Sequence, residues 1–308
     1  VEKPVPGTGE VLLRVRTTTV SAADQRVRSR ILPKGTSLLA SSTIGSKVPK
    51  IPVLGMDVAG IVEAVGPGVP HLQVGDEVVA LLGDAFGGHA EYALVRGKHS
   101  SVVAKPAAMN WEEAAALIFG GWTAETYLSL VTLGPGVSVL VNGASGAVGS
   151  AAVQLAARTG AEVTGVCSGG NAELVRSLGA GRVIDYTQTD VLAEGRSYDV
   201  VVDCVGNFSF RQIASLVAPG GALLSVISDL PGILLAGVRG LTTRKRIVPA
   251  TAKFDRDALR RVVELAAAGE FTPVMDRVHE LADIAEAHRY VNTGRKRGSV
   301  VIRVSHDS

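Results

Sequence analysis

The first third of the chain consists of short apolar runs separated by glycine-rich turns. Apolar strand patterns occupy residues 11–16, 60–65 and 76–81, and a Gly-Pro-Gly turn at residues 66–68 follows the second of them. Short strands with such turns between them are typical of β-rich folds. This part of the chain is therefore predicted to form a β domain.

A helical pattern begins at Trp111, and from residue 137 onward strand patterns alternate with helical ones. The predicted strands are residues 137–141, 162–167, 182–185, 199–204 and 222–227, with helices at 150–158 and 172–178. This alternation predicts an α/β fold with a parallel sheet. Residues 255–268, 272–278, 282–292 and 299–304 follow as helix, strand, helix and strand.

The composition favours a globular chain that acts on a small molecule. Of its 308 residues 46% are hydrophobic and 19% are charged, so the chain can bury a large core and its length suggests two domains. The net charge of +2 comes from 31 basic and 29 acidic residues that are interspersed along the chain. No field strong enough for nucleic acid or a membrane surface is expected.

Two cysteines, Cys167 and Cys204, lie in apolar runs that are predicted to be strand ends. Such thiols are expected to be reduced, which favours a cytoplasmic compartment over a disulfide-forming one. No apolar stretch reaches the ~20 residues of a membrane span.

Residues 139–149 (VLVNGASGAVG) carry an apolar strand into three spaced glycines, directly before a predicted helix of small residues. Gly143 permits a tight turn, Gly146 lets phosphates approach the backbone, and Gly149 lets the helix pack closely on its strand. The second strand ends at the distance of roughly 20 residues where a Rossmann unit binds the adenosine ribose. The pattern predicts a dinucleotide site at the helix N-terminus.

Further motifs resemble one family along nearly the whole chain. They are residues 20–24 (VSAAD), 54–60 (LGMDVAG), 74–78 (VGDEV), 88–92 (GHAEY) and 298–302 (GSVVI). In sequence these are similar to the zinc-free branch of the medium-chain dehydrogenase/reductase superfamily, the quinone oxidoreductase or zeta-crystallin-like proteins. Residues 142–149, 163–168, 178–180 and 183–186 look like those of NADPH-using members.

The resemblance implies a Rossmann doubly wound parallel sheet together with a split GroES-like β-rich catalytic domain. Residues 1–115 and 248–308 are expected to build the catalytic domain, residues 116–247 the nucleotide-binding domain, with the coenzyme in the cleft where they meet. Family members commonly form homodimers through the edges of their Rossmann sheets, and residues 222–227 are the candidate edge strand.

The resemblance also assigns coenzyme contacts, in the glycine-rich loop, at the ribose turn and after the later strands. They are Ser145, Gly146, Ala147, Val148, Gly149, Ser168, Asn171, Tyr186, Cys204, Val205 and Arg297.

The coenzyme is predicted to be NADPH, bound at least tenfold more tightly than NADH. An NAD site usually has Asp or Glu at the end of the second strand, whereas this chain continues there with Ser168, two glycines and Asn171. The arginine that the subgroup commonly has near Gly170 is missing. Its replacement is expected to be Arg176 or the basic run that includes Arg297.

The positions that hold catalytic zinc in related enzymes look like Ser21, Met56 and roughly Phe119 in this chain. None of these is a good zinc ligand, and the six histidines show no ligand spacing. Without a Lewis acid the enzyme is expected to prefer acceptors that need little activation. Quinones and α,β-unsaturated carbonyl compounds meet this condition, because hydride addition gives a delocalised anion.

Three residues are candidates for catalysis, each with a structural alternative. Ser21 is placed to hydrogen-bond a substrate oxygen or relay a proton, or else it is a serine of a turn. Asp57 lies where zinc enzymes have a glutamate, and we interpret it mainly as a structural carboxylate. Thr123 falls where the family's helix meets the nicotinamide, with a plain helix-interior threonine as the alternative. Solvent is another source of the proton.

Two other functions remain open at this point. One is an enoyl-thioester reductase of polyketide-type synthesis, although no basic groove for a carrier or coenzyme A is evident. The other is an NADPH-binding structural or regulatory protein that has lost turnover, because a fold alone does not establish activity.

Overall fold

The computed structural model describes residues 2–31, 35, 51–96, 100–234, 236, 244–250 and 255–306. The chain divides into two compact units, the first combining the N-terminal part up to Trp122 with the C-terminal part from Asp255. The second is the segment that begins at Thr123 and lies between them in sequence. The domain divides were predicted after residues 115 and 247, whereas these two units meet in sequence after Trp122 and before Asp255.

In the described part of the chain the strands are β1 (Val11–Val20), β2 (Asp57–Val65), β3 (Glu77–Leu81), β4 (Tyr92–Val95), β5 (Ser101–Ala104), β6 (Ser138–Asn142), β7 (Glu162–Cys167), β8 (Arg182–Asp185), β9 (Tyr198–Asp203), β10 (Val217–Ser225), β11 (Arg246–Val248), β12 (Met275–Glu280) and β13 (Ser299–Arg303). The helices are α1 (Ala22–Ser29), α2 (Trp111–Leu128), α3 (Ala147–Arg158), α4 (Ala172–Ser177), α5 (Phe210–Ser215), α6 (Leu230–Leu234), α7 (Ala258–Ala267) and α8 (Ile284–Asn292).

One sheet organises the first unit, with strand order β12-β13-β1-β2-β3-β5 and β4 on β1. Strand β13 from the end of the chain pairs antiparallel with β1, so that Thr18 lies opposite Ile302. Apolar side chains of β1, β2 and β3, such as Leu13, Val58 and Val78, are fully buried in its core. The N-terminal third and the C-terminal tail therefore build one sheet.

A second sheet, of order β11-β10-β9-β6-β7-β8, organises the second unit, and its neighbouring strands are all parallel. Near-continuous apolar runs such as residues 139–141 and 200–202 are buried, as expected of strands covered on both faces. Helices α3 and α4 connect β6 to β7 and β7 to β8. The sheet thus places the carboxyl ends of β6, β7 and β9 side by side.

One expectation about the second sheet is wrong. The predicted edge strand at 222–227 is β10, which pairs with β9 on one side and with β11 on the other. Strand β11 was missed because a run of three residues is too short to show a period. Helix α2 continues through Gly121, where an added Cβ would lie 2.6 Å from Val262.

No helix among the described residues combines the length and apolar character that crossing a membrane requires.

Candidate functional site

The glycine-rich loop leaves β6 in a tight turn. Gly143 has a φ of 82°, and both its amide and that of Ala144 donate to the carbonyl oxygen of Val166, at 3.1 and 2.9 Å. A Cβ on Gly149 would overlap the carbonyl of Gly143. The turn requires the first glycine and the close approach of α3 requires the third, as the spacing predicted.

The N-terminus of α3 follows directly and carries no side-chain cap among the described residues. Its N-cap is Gly146, and its first turn holds Ala147, Val148 and Gly149 without an acidic residue. A Cβ on Gly146 would meet only the Gly143 oxygen, at 3.5 Å, so the space beside this residue is open. Uncapped amides at the positive end of a helix form a site for an anion such as a pyrophosphate.

Asn171 joins the glycine-rich loop to the turn after β7. Its Nδ2 donates to Oγ of Ser145 at 3.1 Å and to Oγ of Ser168 at 3.2 Å. Three residues predicted to contact the coenzyme thus lie together, two hydroxyls and one amide. The arrangement offers hydrogen-bond donors and acceptors without a carboxylate of its own.

Asp203, at the end of β9, fixes the loop that carries Cys204 and Val205. Its Oδ1 accepts hydrogen bonds from Nδ2 of Asn142 at 2.9 Å, from the amide of Val205 at 3.1 Å and from the amide of Gly206 at 3.0 Å. The predicted contacts at 204 and 205 are therefore held against the carboxyl end of β6.

Asp185, at the end of β8, accepts hydrogen bonds from the amide and hydroxyl of Thr187 at 2.9 and 2.8 Å. These bonds, with a further one from the amide of Gly169, hold the pKa of Asp185 below its ordinary value. Sequence reasoning missed both Asp185 and Asp203. The sequence signal that could have identified them is an aspartate at the last position of a parallel strand, because ligands bind at the carboxyl ends of such strands.

The two cysteines are free thiols, with Cys167 buried and Cys204 half-buried. Burial raises the pKa of both, and the neighbouring charges of Asp185 and Asp203 respectively raise it further. Both thiols are therefore protonated near neutral pH and are poor nucleophiles.

The other residues predicted to contact the coenzyme or the substrate lie on different elements. Tyr186 follows β8 and is 62% exposed, and Arg176 is exposed on α4. Thr123 is buried in α2, at the first position of the second unit. Arg297 belongs to the first unit, where its amide donates to Oδ2 of Asp276 at 2.8 Å.

Ser21 is the N-cap of α1 and forms a capping box with Asp24. The Ser21 hydroxyl donates to Oδ2 of Asp24 at 2.5 Å, and the Ser21 amide donates to the same oxygen at 2.8 Å. In return the Asp24 amide donates to the Ser21 hydroxyl at 3.2 Å. This geometry makes Ser21 the N-cap of α1 and directs its hydroxyl hydrogen to Asp24.

Asp57 begins β2 and has no exposed surface. Its Oδ1 accepts from the amide of Thr19 at 2.9 Å and its Oδ2 from the Thr19 hydroxyl at 2.8 Å. Burial raises the pKa of Asp57 to about 7, although the Thr19 bonds oppose that rise. Because both oxygens are occupied inside the core, the structure favours a structural carboxylate over a catalytic one.

Two histidines lie beside this cluster. Nε2 of His89 donates to the carbonyl oxygen of Thr19 at 2.9 Å, and the ring meets that of His288 edge-on at 5.5 Å. His288 on α8 is buried, and burial together with His89 lowers its pKa to about 4. His288 is therefore neutral at physiological pH.

Ser21, Met56 and Phe119 all belong to the first unit. Within the described residues no group of three or more histidine, cysteine, aspartate or glutamate side chains has an arrangement that could hold a metal ion.

An open groove of about 640 Å³ lies elsewhere in the first unit. Its walls include Lys3, Tyr92 and Glu280 but none of the residues predicted for the coenzyme or for catalysis. Lys3 lies over the Tyr92 ring at 4.0 Å and bonds Glu63 at 2.7 Å, so these charges are already paired with neighbours. The chemistry described above, and not this groove, defines the candidate site.

Comparisons with known proteins match both units. A family model described as an alcohol dehydrogenase GroES-like domain matches residues 7–107, and one described as a zinc-binding dehydrogenase matches residues 178–302. A chloroplast envelope quinone oxidoreductase homolog from Arabidopsis thaliana is 31% identical over 98% of this chain and 92% of its own.

Two further similarities extend this picture. An NADPH-dependent alkenal/one oxidoreductase, chloroplastic, from Arabidopsis thaliana is 31% identical over 83% of this chain and 64% of its own. The solved structure of the quinone oxidoreductase from Coxiella burnetii has a TM-score of 0.87 at 24% identity, over 99% of this chain and 93% of that one. At that identity the structural match speaks for the fold alone.

Proposed function

The chain belongs to the quinone oxidoreductase-like proteins of the medium-chain dehydrogenase/reductase superfamily, and on that premise we propose that it reduces quinones or the C=C bond of α,β-unsaturated carbonyl compounds with NADPH. The predicted fold, a GroES-like β-rich domain and a parallel Rossmann sheet, is confirmed. The family is one of oxidoreductases that use a nicotinamide coenzyme.

The single observation that carries the proposal is the open, uncapped N-terminus of α3 beside the Ser145–Asn171–Ser168 cluster. The amides of the first turn and the helix dipole suit a pyrophosphate. Gly146 keeps the approach free, since no side chain fills it. Bound there, a nicotinamide coenzyme supplies the hydride for reduction.

NADPH over NADH is supported by the polar groups after β7. Ser168 and Asn171 offer a hydroxyl and an amide to a 2′-phosphate, and the charge of Asp185 is already engaged by Thr187 and Gly169. Exposed Arg176, on the helix that begins directly after this turn, is the cation proposed to pair with the phosphate.

The acceptor class is supported by the side chains at the positions where related enzymes hold zinc. Ser21, Met56 and Phe119 supply neither thiolate nor imidazole, so hydrogen bonds must stabilise the developing anion. Quinones and enones spread that charge over several atoms and need little help. The two relatives named above, a quinone oxidoreductase homolog and an alkenal/one oxidoreductase, agree with this class.

The protein's own chemical tasks are to orient the acceptor, exclude water and deliver a proton. Ser21, in the first unit, is the residue we assign to the proton step, and Thr123, on α2, is assigned to the nicotinamide end of the coenzyme. Asp57 keeps β1 and β2 in register through Thr19.

Coenzyme choice is tested by fluorescence titration with NADPH and NADH. We expect NADPH to bind at least tenfold more tightly, which is only ~1.4 kcal/mol. Arg176→Ala is expected to remove most of that difference, while Arg211→Ala, an exposed arginine of the same unit, is the matched control that leaves it. Equal dissociation constants for the two coenzymes in the unaltered protein would contradict the proposal.

Turnover is tested by following NADPH oxidation with a panel of quinones, enones and enoyl thioesters. Oxidation with a quinone or enone is the expected result. A response to thioesters alone would replace this proposal with an enoyl-thioester reductase, and binding without oxidation would leave a non-catalytic NADPH protein.

Partner and location are further parts of the proposal. A small-molecule acceptor and a homodimer are proposed, with β11 replacing residues 222–227 as the edge available for sheet pairing. Light scattering should then give twice the chain mass of 31.8 kDa. A cytoplasmic location stays a prediction from the thiols, and the relatives named above are chloroplastic. Cell fractionation decides between these compartments.

A further inference from the structure

We infer that Asp24 is a positioning residue for the proton step: it holds the hydroxyl proton of Ser21 inward, so that Ser21 meets a ligand as a hydrogen-bond acceptor. The inference rests on the proposed function, because it concerns the residue assigned there to proton delivery. The observation behind the inference is that the Asp24 side chain is buried and hydrogen-bonded. Sequence reasoning did not single out this residue.

Asp24 is a fully buried carboxylate, and no described lysine or arginine forms an ion pair with it. Three N–H and O–H donors replace its hydration, namely the amide and hydroxyl of Ser21 and the amide of Gly55 at 2.8 Å. Burying a charge without a cation is costly unless such donors compensate it. A carboxyl group at a solvent-exposed position of α1 would avoid the cost of burial.

Helix capping alone does not require this arrangement. Ser209 caps α5 in a box of the same form, in which its hydroxyl donates to Oε1 of Gln212 at 2.6 Å. There the partner is a neutral, exposed side chain. The Ser21 box differs because its partner is a carboxyl group without exposed surface, and burying such a group costs more than a cap worth about 1 kcal/mol returns.

The third donor to Asp24, the amide of Gly55, connects the Ser21–Asp24 capping box to another segment of the chain. Gly55 precedes Met56 and Asp57 in the loop before β2, and its amide reaches Oδ1 of Asp24. A Cβ on Gly55 would lie 2.6 Å from the ring of His89, so this residue fits closely between the two side chains. Asp24 thereby fixes the start of α1 against the loop that leads to Asp57.

The hydrogen-bond inventory of Ser21 then decides what it can offer a ligand. Its one hydrogen goes to Asp24 Oδ2, and one of its two lone pairs accepts from the Asp24 amide. A single lone pair remains. Ser21 keeps 6% exposure whereas Asp24 has none, so of the two residues only Ser21 retains surface within reach of a ligand.

A quinone or enone oxygen is itself an acceptor and cannot bond to that lone pair directly. A water molecule can, because it donates one hydrogen to Ser21 and the other to the substrate oxygen. Once the acceptor carbon has gained the hydride and its electron pair, the oxyanion takes a proton from this water. The hydroxide that forms is neutralised by solvent.

The test is a double-mutant cycle of Ser21→Ala and Asp24→Asn, measured as the single-turnover rate of NADPH oxidation with a naphthoquinone and with methyl vinyl ketone. Each single change is expected to lower the rate by about 10- to 100-fold with NADPH affinity unchanged. The double variant is expected to match Ser21→Ala within about twofold, since Asp24 acts through Ser21. Losses that multiply would overturn the inference, because a merely structural Asp24 would also slow the enzyme without the serine hydroxyl.

A matched control exists at the amino ends of the strands of the second sheet, away from their carboxyl ends, where the candidate coenzyme site lies. Ser138 donates its amide and hydroxyl to Oδ2 of Asp199 at 2.8 and 2.6 Å, and the Asp199 amide returns a bond of 3.0 Å. This is the same set of three bonds at the amino ends of β6 and β9. Asp199→Asn is expected to leave the rate unchanged, and an equal loss there would overturn the inference.

Folding and function are separated by further measurements. Thermal melting is recorded for every variant. If Asp24→Asn does not fold, Asp24→Ser carries the same cycle, because the smaller side chain fits the same space and removes the carboxylate. Unaltered protein that binds NADPH but oxidises none would refute the proposed function and this inference with it. Normal turnover with multiplying losses refutes the inference alone.

Discussion

Nδ2 of Asn171 donates to Oγ of Ser145 across 3.1 Å and so connects the loop after β6 with the turn after β7. The same nitrogen lies 3.2 Å from Oγ of Ser168. This contact places a neutral amide where an NAD-specific site usually has a carboxylate.

Asn171→Asp should therefore abolish the preference for NADPH. The change is nearly isosteric, and the added charge lies at the start of α4, where a helix N-terminus tolerates it. We expect NADPH affinity to fall at least tenfold and NADH affinity to change less than about threefold. Fluorescence titration measures both.

Gln212→Glu is the control for this charge change, because it also adds one negative charge near a helix start of the same unit. If it weakens NADPH as much as Asn171→Asp does, the effect is one of net charge and the assignment of the ribose turn is wrong.

Gly146 and Gly149 should separate coenzyme binding from folding. Gly149→Ala would drive its Cβ into the Gly143 carbonyl and is expected to lower the free energy of unfolding by about 1–3 kcal/mol. Gly146→Ala meets only an ordinary contact at 3.5 Å, so it should fold normally yet bind NADPH at least tenfold more weakly.

Thermal melting and titration of the two glycine variants provide the comparison. Gly134→Ala, which adds a Cβ with nothing within 4 Å, should change neither property. A stable Gly149→Ala variant would contradict the packing argument, and unimpaired NADPH binding by Gly146→Ala would contradict the site.

How far the sequence predicted this site depends on the range of each interaction. The glycine spacing is a local pattern, and it correctly predicted the turn at Gly143 and the close approach at Gly149. The bond from Asn171 to Ser145 joins residues 26 positions apart, and no periodicity reveals such a pairing. The capping box was visible in sequence as Ser21 followed three residues later by Asp24, but its burial was not.

The accuracy of the fold prediction also varied, in this case with the length of each element. Long apolar strands such as β7 were predicted at their true bounds, whereas β11, at three residues, was not found. The second unit begins at Thr123 and not at residue 116, because this boundary lies inside the continuous helix α2, where no local pattern marks it.

Asp57 should make stability depend on pH in a defined direction. Its pKa is raised from the ordinary 3.8 to about 7, so the folded chain binds the proton more tightly than the unfolded chain. The resulting stabilisation is complete below about pH 4 and is lost as the pH rises through 7, by roughly 4 kcal/mol in all. Asp57→Asn removes this dependence.

The quantity to measure is the difference in unfolding free energy between the unaltered protein and Asp57→Asn, from denaturant titrations between pH 4 and pH 8. The unfolding free energy of the unaltered protein minus that of Asp57→Asn should decrease steadily as the pH rises. Using the difference removes the opposing contribution of His288, whose pKa is lowered from 6.5 to about 4 and which therefore destabilises the fold as the pH falls through that range. A difference that is flat with pH would show that Asp57 is not a buried titrating group.

Tyr186→Ala should affect binding without affecting folding. The ring is 62% exposed, so its removal is expected to shift the melting temperature by no more than about 2 °C. If it lies on the adenosine end of the coenzyme, NADPH affinity should fall several-fold. Unchanged affinity in titration would remove Tyr186 from the site.

The bare start of α3 has a thermodynamic consequence for the whole second unit. Because its first amides lack a capping side chain among the described residues, the ligand itself completes the helix end, and its binding energy is added to the folding energy. At a hundredfold excess over the dissociation constant, that linkage is worth about 2.7 kcal/mol. Cellular supply of the dinucleotide would then govern how long this half of the molecule survives proteolysis.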